Sequence, residues 1–236
     1  ILRGATRSTA LKALALAAQN FEEIEELELK AHLGVGSVMA YQASRQYCAQ
    51  ACSDLKLEII ERADNLAIVD GHGDLRPEHI CFEDGAIQIY DCVEFSDALR
   101  HGDRLLDLAF LCMDLDHNHR ADLGTHLLRS YARTGAGRCS SDLFRFFKHH
   151  RAMVRAKVQL IRAKECVDEF QACAATVKAA RFLALASSYA RPRDRPVVVL
   201  ICGLMGVGKT TLALELANAW RMQVLSADAI RKGLFK

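Results

Sequence analysis

Apolar residues recur with helical spacing over the first sixty positions of the chain. The pattern from Thr9 to about Arg62 predicts mainly helix, with a break near Gly34 and Gly36. Further helical patterns follow at residues 105–111, 127–132, about 141–170 and about 174–189. The first 190 residues are therefore predicted to be mostly helical.

Two short apolar stretches interrupt the helical pattern and predict strands. They are Leu66 to Val69 and Ala86 to Tyr90, and the turn residues Glu83 to Gly85 precede the second. The two predicted strands bracket a loop that begins at Gly71. The sequence thus predicts an α+β fold with little sheet.

The end of the chain has a different pattern. Val197 to Cys202 predicts a buried parallel strand, and Lys209 to Trp220 predicts a helix. Between them, Gly203 to Thr210 fits the phosphate-binding loop G-x-x-x-x-G-K-[ST] at every fixed position. The Pro- and Arg-rich stretch 191–196 predicts a linker. The domains are predicted as 1–190, this linker, and 197–236.

Strand, loop and helix together predict an anion site. Backbone N–H groups and the positive end of the helix would surround the phosphates of ATP, Lys209 would reach the β- and γ-phosphates, and Thr210 would hold Mg²⁺. The residues predicted to bind the nucleotide are Gly203, Gly206, Val207, Gly208, Lys209, Thr210 and Thr211. Because a P-loop domain usually needs on the order of 150 residues, the chain is expected to be a fragment.

Composition narrows the class of protein. With 236 residues, 51% of them hydrophobic, and a net charge of +2, the chain predicts a globular protein that binds no nucleic acid. No stretch approaches the roughly 20 apolar residues of a membrane span. Nine scattered cysteines without a C-x-x-C pair favour reduced, mostly buried thiols in a cytosolic protein. The acidic residues 22–28 and the basic segment 143–164 are both interpreted as solvated helix faces.

The loop after the first predicted strand carries a second chemical pattern. It reads His72-Gly73-Asp74-Leu75-Arg76-Pro77-Glu78-His79-Ile80, and Asp91 follows an apolar stretch seventeen residues after Asp74. Phosphoryl transfer uses a carboxylate to accept the proton of the acceptor hydroxyl and further side chains to bind metal. Asp74 is the candidate base, and His79 and Asp91 are candidate metal ligands.

These residues resemble the aminoglycoside phosphotransferase-like kinases, whose loop runs H-G-D-x-x-x-x-N before an apolar strand ending in Asp. The resemblance covers about residues 60–165 and includes the strings at 91–95, 107–111 and 151–157. It is nearest to two-domain proteins in which such a kinase half precedes a P-loop half. The resemblance implies the carboxyl-terminal lobe of a protein-kinase-like fold, followed by the first β-α-β portion of a P-loop α/β domain.

Two departures from this family bear on mechanism. His79 stands where most of these kinases have Asn, and imidazole is a softer ligand than Mg²⁺ prefers. No glycine-rich loop and no strand of the V-A-I-K kind precede residue 60. By similarity to P-loop small-molecule kinases, the stretch 224–228 is a second strand whose Asp228 would bind the acceptor hydroxyl, with Arg231 on the helix after it.

Several neighbouring residues have supporting roles in this interpretation. His72 is predicted to shape the loop, and Asp103 and Asp107 to brace it by accepting backbone N–H groups. Glu94 could bind metal or substrate or start a helix. One helical face carries Arg151, Arg155 and Arg162. Together with Lys148, these residues could bind an anionic substrate or an acidic partner domain.

The sequence leaves two hypotheses open. In the first, the protein is a cytosolic, ATP- and Mg²⁺-dependent phosphotransferase that acts on a small hydroxylated acceptor. In the second, residues before the linker form a non-catalytic binding or regulatory module coupled to a P-loop ATPase or nucleotide switch. His79 and the missing amino-terminal lobe favour the second; Asp74 and Asp91 favour the first.

Overall fold

The computed structural model describes residues 7–27, 33–134, 139–191, 199–204, 206–220, 224–226 and 230–231. The chain divides into two compact units, Ile1–Arg191 and Pro192–Lys236. The described part is a mostly helical α+β fold with two small antiparallel sheets of two strands each. This agrees with the fold class expected from the hydrophobic pattern.

In the part of the first unit that the structure describes, the first three helices are α1 (Arg7–Glu26), α2 (Val35–Asp54) and α3 (Lys56–Asp64). Gly34 precedes α2 in an extended conformation, so the helical run is interrupted where the glycines predict a break. Helix α1 packs against α3, which leads directly into the first strand.

The described residues of the first unit contain four strands, whereas the sequence pattern predicts two there. Strand β1 (Ile68–Asp70) pairs with β4 (His101–Asp103), and β2 (Ile80–Glu83) pairs with β3 (Ala86–Ile89). Asp84 and Gly85 join β2 to β3 with φ of 50° and 77°, the positive values that a tight hairpin turn requires. The sequence pattern missed β2 and β4, because three- and four-residue strands carry too few alternations to stand out.

After β3, the described residues of the first unit contain five more helices. They are α4 (Asp97–Arg100), α5 (Leu105–His117), α6 (Ala121–Arg133), α7 (Ser141–Glu165) and α8 (Glu169–Ala190). The predicted long helix to Phe170 is wrong at its end: α7 stops at Glu165. Asp168 starts α8 instead, because its side chain accepts a hydrogen bond from the Phe170 backbone N–H at 3.1 Å.

Helix α7 is the centre of the core. It packs against α5 and α8, and Phe146, Phe147 and Met153 on it are fully buried. The prediction that the basic segment 143–164 is a solvated face is therefore wrong. Arg151 is buried, and of the seven basic residues of this segment only Arg162 and Lys164 are exposed.

A buried ion pair joins α3 to β4. The Arg62 guanidinium donates to both carboxylate oxygens of Asp103, at 2.5 and 2.8 Å, and each side chain is only 8% exposed. Asp103 also accepts from the Leu105 backbone N–H at 2.9 Å, at the start of α5. The prediction that Asp103 braces the loop after β1 is wrong, because its carboxylate is used by Arg62 and Leu105.

The second unit contains helix α9 (Lys209–Trp220). The predicted helix is confirmed, but the predicted strands are not: neither 199–202 nor 224–226 has strand conformation, and Leu200 and Leu225 are exposed. A parallel strand forms only beside a hydrogen-bonded neighbour, and the described residues of this unit contain no strand that could be one.

The cysteines are free throughout, but the prediction that most are buried is wrong. Cys48 and Cys112 are buried, whereas three are exposed: Cys92, Cys173 and Cys202. Among the described helices, none combines the length and apolar character needed to cross a membrane.

Candidate active site

The carboxylate of Asp107, on α5, holds the loop between β1 and β2. Its carboxylate accepts from the backbone N–H groups of His72, at 2.7 Å, and Gly73, at 2.9 Å. A side chain at Gly71 would place its Cβ 2.5 Å from Asp107 Oδ2, so only glycine permits this approach. The prediction that Asp107 braces the loop is confirmed.

His72 connects the loop to the end of β3. Its Nε2 lies 2.8 Å from the Tyr90 carbonyl oxygen, and its Nδ1 lies 3.3 Å from the Asp74 backbone nitrogen. The two partners assign the tautomer: Nε2–H donates to Tyr90, and Nδ1 accepts from Asp74. Both ring nitrogens are thus used for backbone contacts, as expected for a loop-shaping histidine.

The structure brings Asp74, His79 and Asp91 together. The buried His79 ring donates from Nδ1 to the Asp74 carbonyl oxygen at 2.9 Å, and its Nε2 lies 3.3 Å from Asp91 Oδ2. Asp91 is exposed and has φ of 62°, a left-handed conformation that is uncommon for residues other than glycine. Its backbone is therefore held by its neighbours, Tyr90 and Val93, which pair with His79 and His72.

Arg76 is the residue of this site that sequence reasoning missed. Its guanidinium, 12% exposed, donates from Nε to Asp74 Oδ2 at 3.1 Å, and its Nη2 forms an ion pair with the same oxygen at 3.0 Å. The same Nη2 lies 3.1 Å from His79 Nε2, and Nη1 contacts the Glu78 carboxylate. A cation supplied by the chain therefore lies among the groups expected to bind metal. A cationic side chain two residues from a candidate base was the available signal.

Few ligands are left free for a divalent ion in this arrangement. Within the described ranges, no group of three or more His, Cys, Asp or Glu side chains has a geometry that could hold a metal. The lone pair of His79 Nε2 is already the acceptor for Arg76. Metal binding by His79 and Asp91 stays a prediction. Glu94 is exposed and lies outside α4, which begins at Asp97.

Asp74 also lines a cavity of about 380 Å³ within the first unit. Its walls come from α1, from α7 and from the segments 93–99 and 101–106, and they are mostly apolar. The volume lies in the range of small-molecule sites. Because one wall is the loop at Gly73 and Asp74, a molecule in the cavity would contact the candidate base.

The basic residues of α7 do not act as one face. Arg151 lines the cavity, with Cζ 4.8 Å from the centre of the Phe110 ring. Arg155 instead stacks over Phe182 at 5.3 Å and does not line it. Lys148 is paired with Asp116, Nζ to Oδ2, at 2.7 Å. Arg151, Arg155 and Lys148 therefore lie in three different environments and do not form the predicted anion-binding face.

The phosphate-binding loop of the second unit depends on its backbone. Gly206 and Gly208 both have φ of 82°, and a Cβ at either position would meet open space, so the limit on side chains there is conformational. Lys209 Nζ donates to the Gly203 carbonyl oxygen at 2.7 Å and also to that of Leu204. The Lys209 side chain therefore points back toward the start of the loop.

The other predicted nucleotide contacts lie around this turn. Val207 is exposed within it, and Thr210 and Thr211 are exposed in the first turn of α9. The glycine cradle, Lys209 and the Thr210 hydroxyl fit a nucleotide phosphate with its Mg²⁺. Arg231 lies in a helical turn in which the Ile230 N–H donates to Ser226. Asp228 lies outside the described residues.

Comparison with known proteins agrees with this second site. Residues 198–236 match a protein-family model described as an AAA domain. The match supports a P-loop, kinase-like nucleotide-binding domain in this part of the chain.

Relatives also extend over the first unit. Uncharacterized proteins of Mycobacterium bovis and of two strains of Mycobacterium tuberculosis are each 38% identical over 167 residues, which is 71% of this chain. The chain spans about a third of their length, 32%. No solved structure matches the chain.

Proposed function

We propose that the protein is an ATP-dependent phosphotransferase for a small hydroxylated acceptor. In this proposal the first unit is a lobe of the aminoglycoside phosphotransferase-like kind, and residues 198–236 belong to a second, P-loop kinase-like half. The observation that carries the proposal is Asp74: it lines a cavity of about 380 Å³ while Asp107, His72 and His79 hold its loop.

The geometry suits a base that acts on an acceptor hydroxyl. Arg76 donates from Nε to Asp74 Oδ2 and forms an ion pair with it through Nη2, and no described residue donates to Oδ1. An acceptor in the cavity could therefore give its hydroxyl proton to Oδ1 as its oxygen forms a bond to the γ-phosphorus of ATP. The bond from that phosphorus to the bridging oxygen would break, and ADP would leave with the electron pair. Asp107 fixes the position of the base by holding the two preceding N–H groups. We assign no step of this reaction to a metal at His79 and Asp91.

In the P-loop half, ATP supplies the transferable phosphoryl group when it is bound. Gly206 and Gly208 let the backbone N–H groups face the phosphates. Lys209 would exchange its two carbonyl contacts for phosphate oxygens, and Thr210 would orient the magnesium ion. Asp228 and Arg231 remain proposals for acceptor binding in that half. Free, partly exposed cysteines support a reducing, cytosolic location.

Replacement of the base tests the proposal. Asp74→Asn keeps the shape of the side chain but removes its basicity, so phosphotransfer from ATP to a panel of small alcohols and sugars should fall about 10²-fold or more. Asp84→Asn is the matched control, because Asp84 is an exposed turn residue with φ of 50°, which Asn also tolerates. Equal turnover by wild type and Asp74→Asn would remove Asp74 from the reaction.

One observation favours the alternative, a non-catalytic kinase-like module coupled to a P-loop ATPase or switch. The Arg76 guanidinium already neutralises Asp74 and contacts His79, as in a site kept for structure. This alternative predicts ATP hydrolysis that depends on Lys209 and is insensitive to Asp74→Asn. Asp74→Asn and Lys209→Ala, measured side by side, therefore separate the two functions.

A further inference from the structure

The cavity beside Asp74 has apolar walls and few charges. Its apolar lining includes Leu16, Ile68, Val93, Leu99, Leu106 and Phe147. Such a surface stabilises a ligand whose body is hydrocarbon rather than a sugar rich in hydroxyls and amines. The charged groups of the cavity wall decide which polar group the ligand carries.

Most of the charged groups in its wall are already paired. Lys157 Nζ lies 2.5 Å from Glu23 Oε2, and Asp103 is bound by Arg62. His150 is hydrogen-bonded to Asn20 at 3.3 Å, and burial holds the pKa of its imidazole well below the usual range, so the ring is neutral. These groups therefore add little net charge to the cavity.

Two cations of the wall make no ion pair among the described residues: Lys12, which is exposed, and Arg151, which is buried. Arg151 is 8% exposed, and its Nε is buried with no hydrogen-bond partner among the described residues. It makes no ion pair in the described part of the chain. Burial lowers the pKa of its guanidinium, and the charges of Asp107 and Asp74 oppose this shift through space. An unpaired guanidinium is costly to bury, so the site is set up to gain from an anion.

The Phe110 ring fixes where this charge lies. The Arg151 guanidinium carbon stands 4.8 Å from the ring centre, within the range of a cation–π contact. A guanidinium stacked in this way keeps its N–H edge available, and that edge matches a carboxylate with two parallel hydrogen bonds.

We infer that Arg151 binds a carboxylate of the acceptor, so that the substrate class is a hydroxy acid with an apolar body. This rests on the proposed phosphotransferase function. The apolar walls hold the body, Arg151 holds the carboxylate, and the hydroxyl meets Asp74. A polycationic acceptor is disfavoured by the same charge.

Binding of matched probes tests this without relying on turnover. The probes are 4-(hydroxymethyl)benzoate against benzyl alcohol, and 6-hydroxyhexanoate against 1-hexanol, titrated calorimetrically into the whole chain. Wild type should bind each acid at least tenfold more tightly than its neutral partner, as expected for a charge-assisted pair. Absence of a carboxylate preference in both pairs overturns the inference.

Variants then assign the preference to one side chain. Arg151→Met preserves much of the volume and should abolish the preference for the acids while leaving the alcohols within about twofold. Arg155→Met is the matched control: it lies one turn further on α7, stacks on Phe182, and also has an unpartnered buried Nε, but it does not line the cavity. Equal loss in both variants argues against a specific subsite.

Arg151→Lys covers the case in which the methionine variant does not fold. It keeps the charge but loses the two-pronged geometry, so it should retain only part of the preference. Full retention of the preference in Arg151→Lys would contradict the carboxylate geometry.

Failure of this inference is distinguishable from failure of the function. If the acids bind through Arg151 but ATP phosphorylates none of them, the subsite stands and the phosphotransferase proposal falls. If alcohols are phosphorylated with no effect of carboxylate or of Arg151→Met, the function stands and the subsite is wrong.

Discussion

The two units hold their phosphate-chemistry motifs in different ways. In the first, the loop at Asp74 is held by residues distant in sequence, such as Asp107, 34 positions from Gly73 and 35 from His72. In the second, the loop at Gly206 and Gly208 depends on its own backbone torsions, and Lys209 bonds to carbonyls only five and six residues away. The first site is a product of packing, the second of local chain geometry.

This difference teaches which changes each site can tolerate. A site made by packing is lost when a distant buried contact is lost, even if every motif residue remains. A site made by local geometry is lost when its own residues are substituted, and most substitutions elsewhere in the chain leave it intact. The predictions below separate these cases.

The largest effect is expected for the buried ion pair. Arg62→Met leaves Asp103 buried without its partner and should destabilise the first unit by about 3–5 kcal/mol, measured by urea unfolding. The double variant with Asp103→Leu should recover part of this loss, because no charge is then left unpaired.

The exposed pair of Arg7 and Asp64 provides the control. It has the same two-pronged geometry, at 3.0 and 2.8 Å, but both side chains are largely exposed. Arg7→Met should therefore change stability little. If Arg62→Met and Arg7→Met behave alike, the first unit does not depend on its buried contacts as described.

A smaller, pH-dependent effect is expected at His149. The ring is fully buried near Phe21 and Tyr47, neither nitrogen has a partner among the described residues, and burial lowers its pKa to about 3. The unfolded chain binds this proton below a pKa of about 6.5 whereas the folded chain does not. Stability is therefore fully present above about pH 6.5 and is lost as pH falls toward 3.

His149→Phe should remove this dependence while keeping the ring contacts. Relative to wild type, its free energy of unfolding should rise by about 2 kcal/mol between pH 8 and pH 5, as read from urea titrations at both values. A gap between the two proteins that stays constant with pH would mean that His149 takes up its proton as readily in the folded state as in the unfolded chain.

The smallest effect in free energy is expected at the P-loop. Lys209→Ala removes the cation placed for the β- and γ-phosphates, so the dissociation constant for Mg²⁺ and ATP should rise about tenfold or more. The urea midpoint should not change, because among the described residues Lys209 Nζ bonds only to carbonyl oxygens of its own loop. Thr176→Ala, far along the chain on α8, is a neutral comparison. Unchanged ATP affinity would remove the nucleotide-binding role.

The contrast also explains what the sequence could predict. The P-loop and the residues Asp74, His79 and Asp91 were identifiable because their spacing along the chain is itself the signal. The end of α7 was missed, although Asp168 is a common helix-starting residue, since the apolar pattern continues past Glu165.

Contacts made across the fold could not be predicted in this way. The pairing of Arg62 with Asp103 spans 41 residues, and the burial of Arg151 depends on Phe110, which lies on another helix. A charged residue on a helical pattern usually faces solvent, so the basic segment of α7 was misread. Only tertiary packing decides which of these cations is covered.

The Arg76 contact has one consequence for the chemistry of the loop. A dissociable ion occupies a site in proportion to its concentration in the medium, whereas a tethered guanidinium has a fixed, high effective concentration at its partner. The charge facing Asp74 and His79 is therefore independent of the free divalent ions around the protein. Chelators should therefore leave the conformation of this loop unchanged, because the charge that balances Asp74 belongs to a side chain of the protein itself.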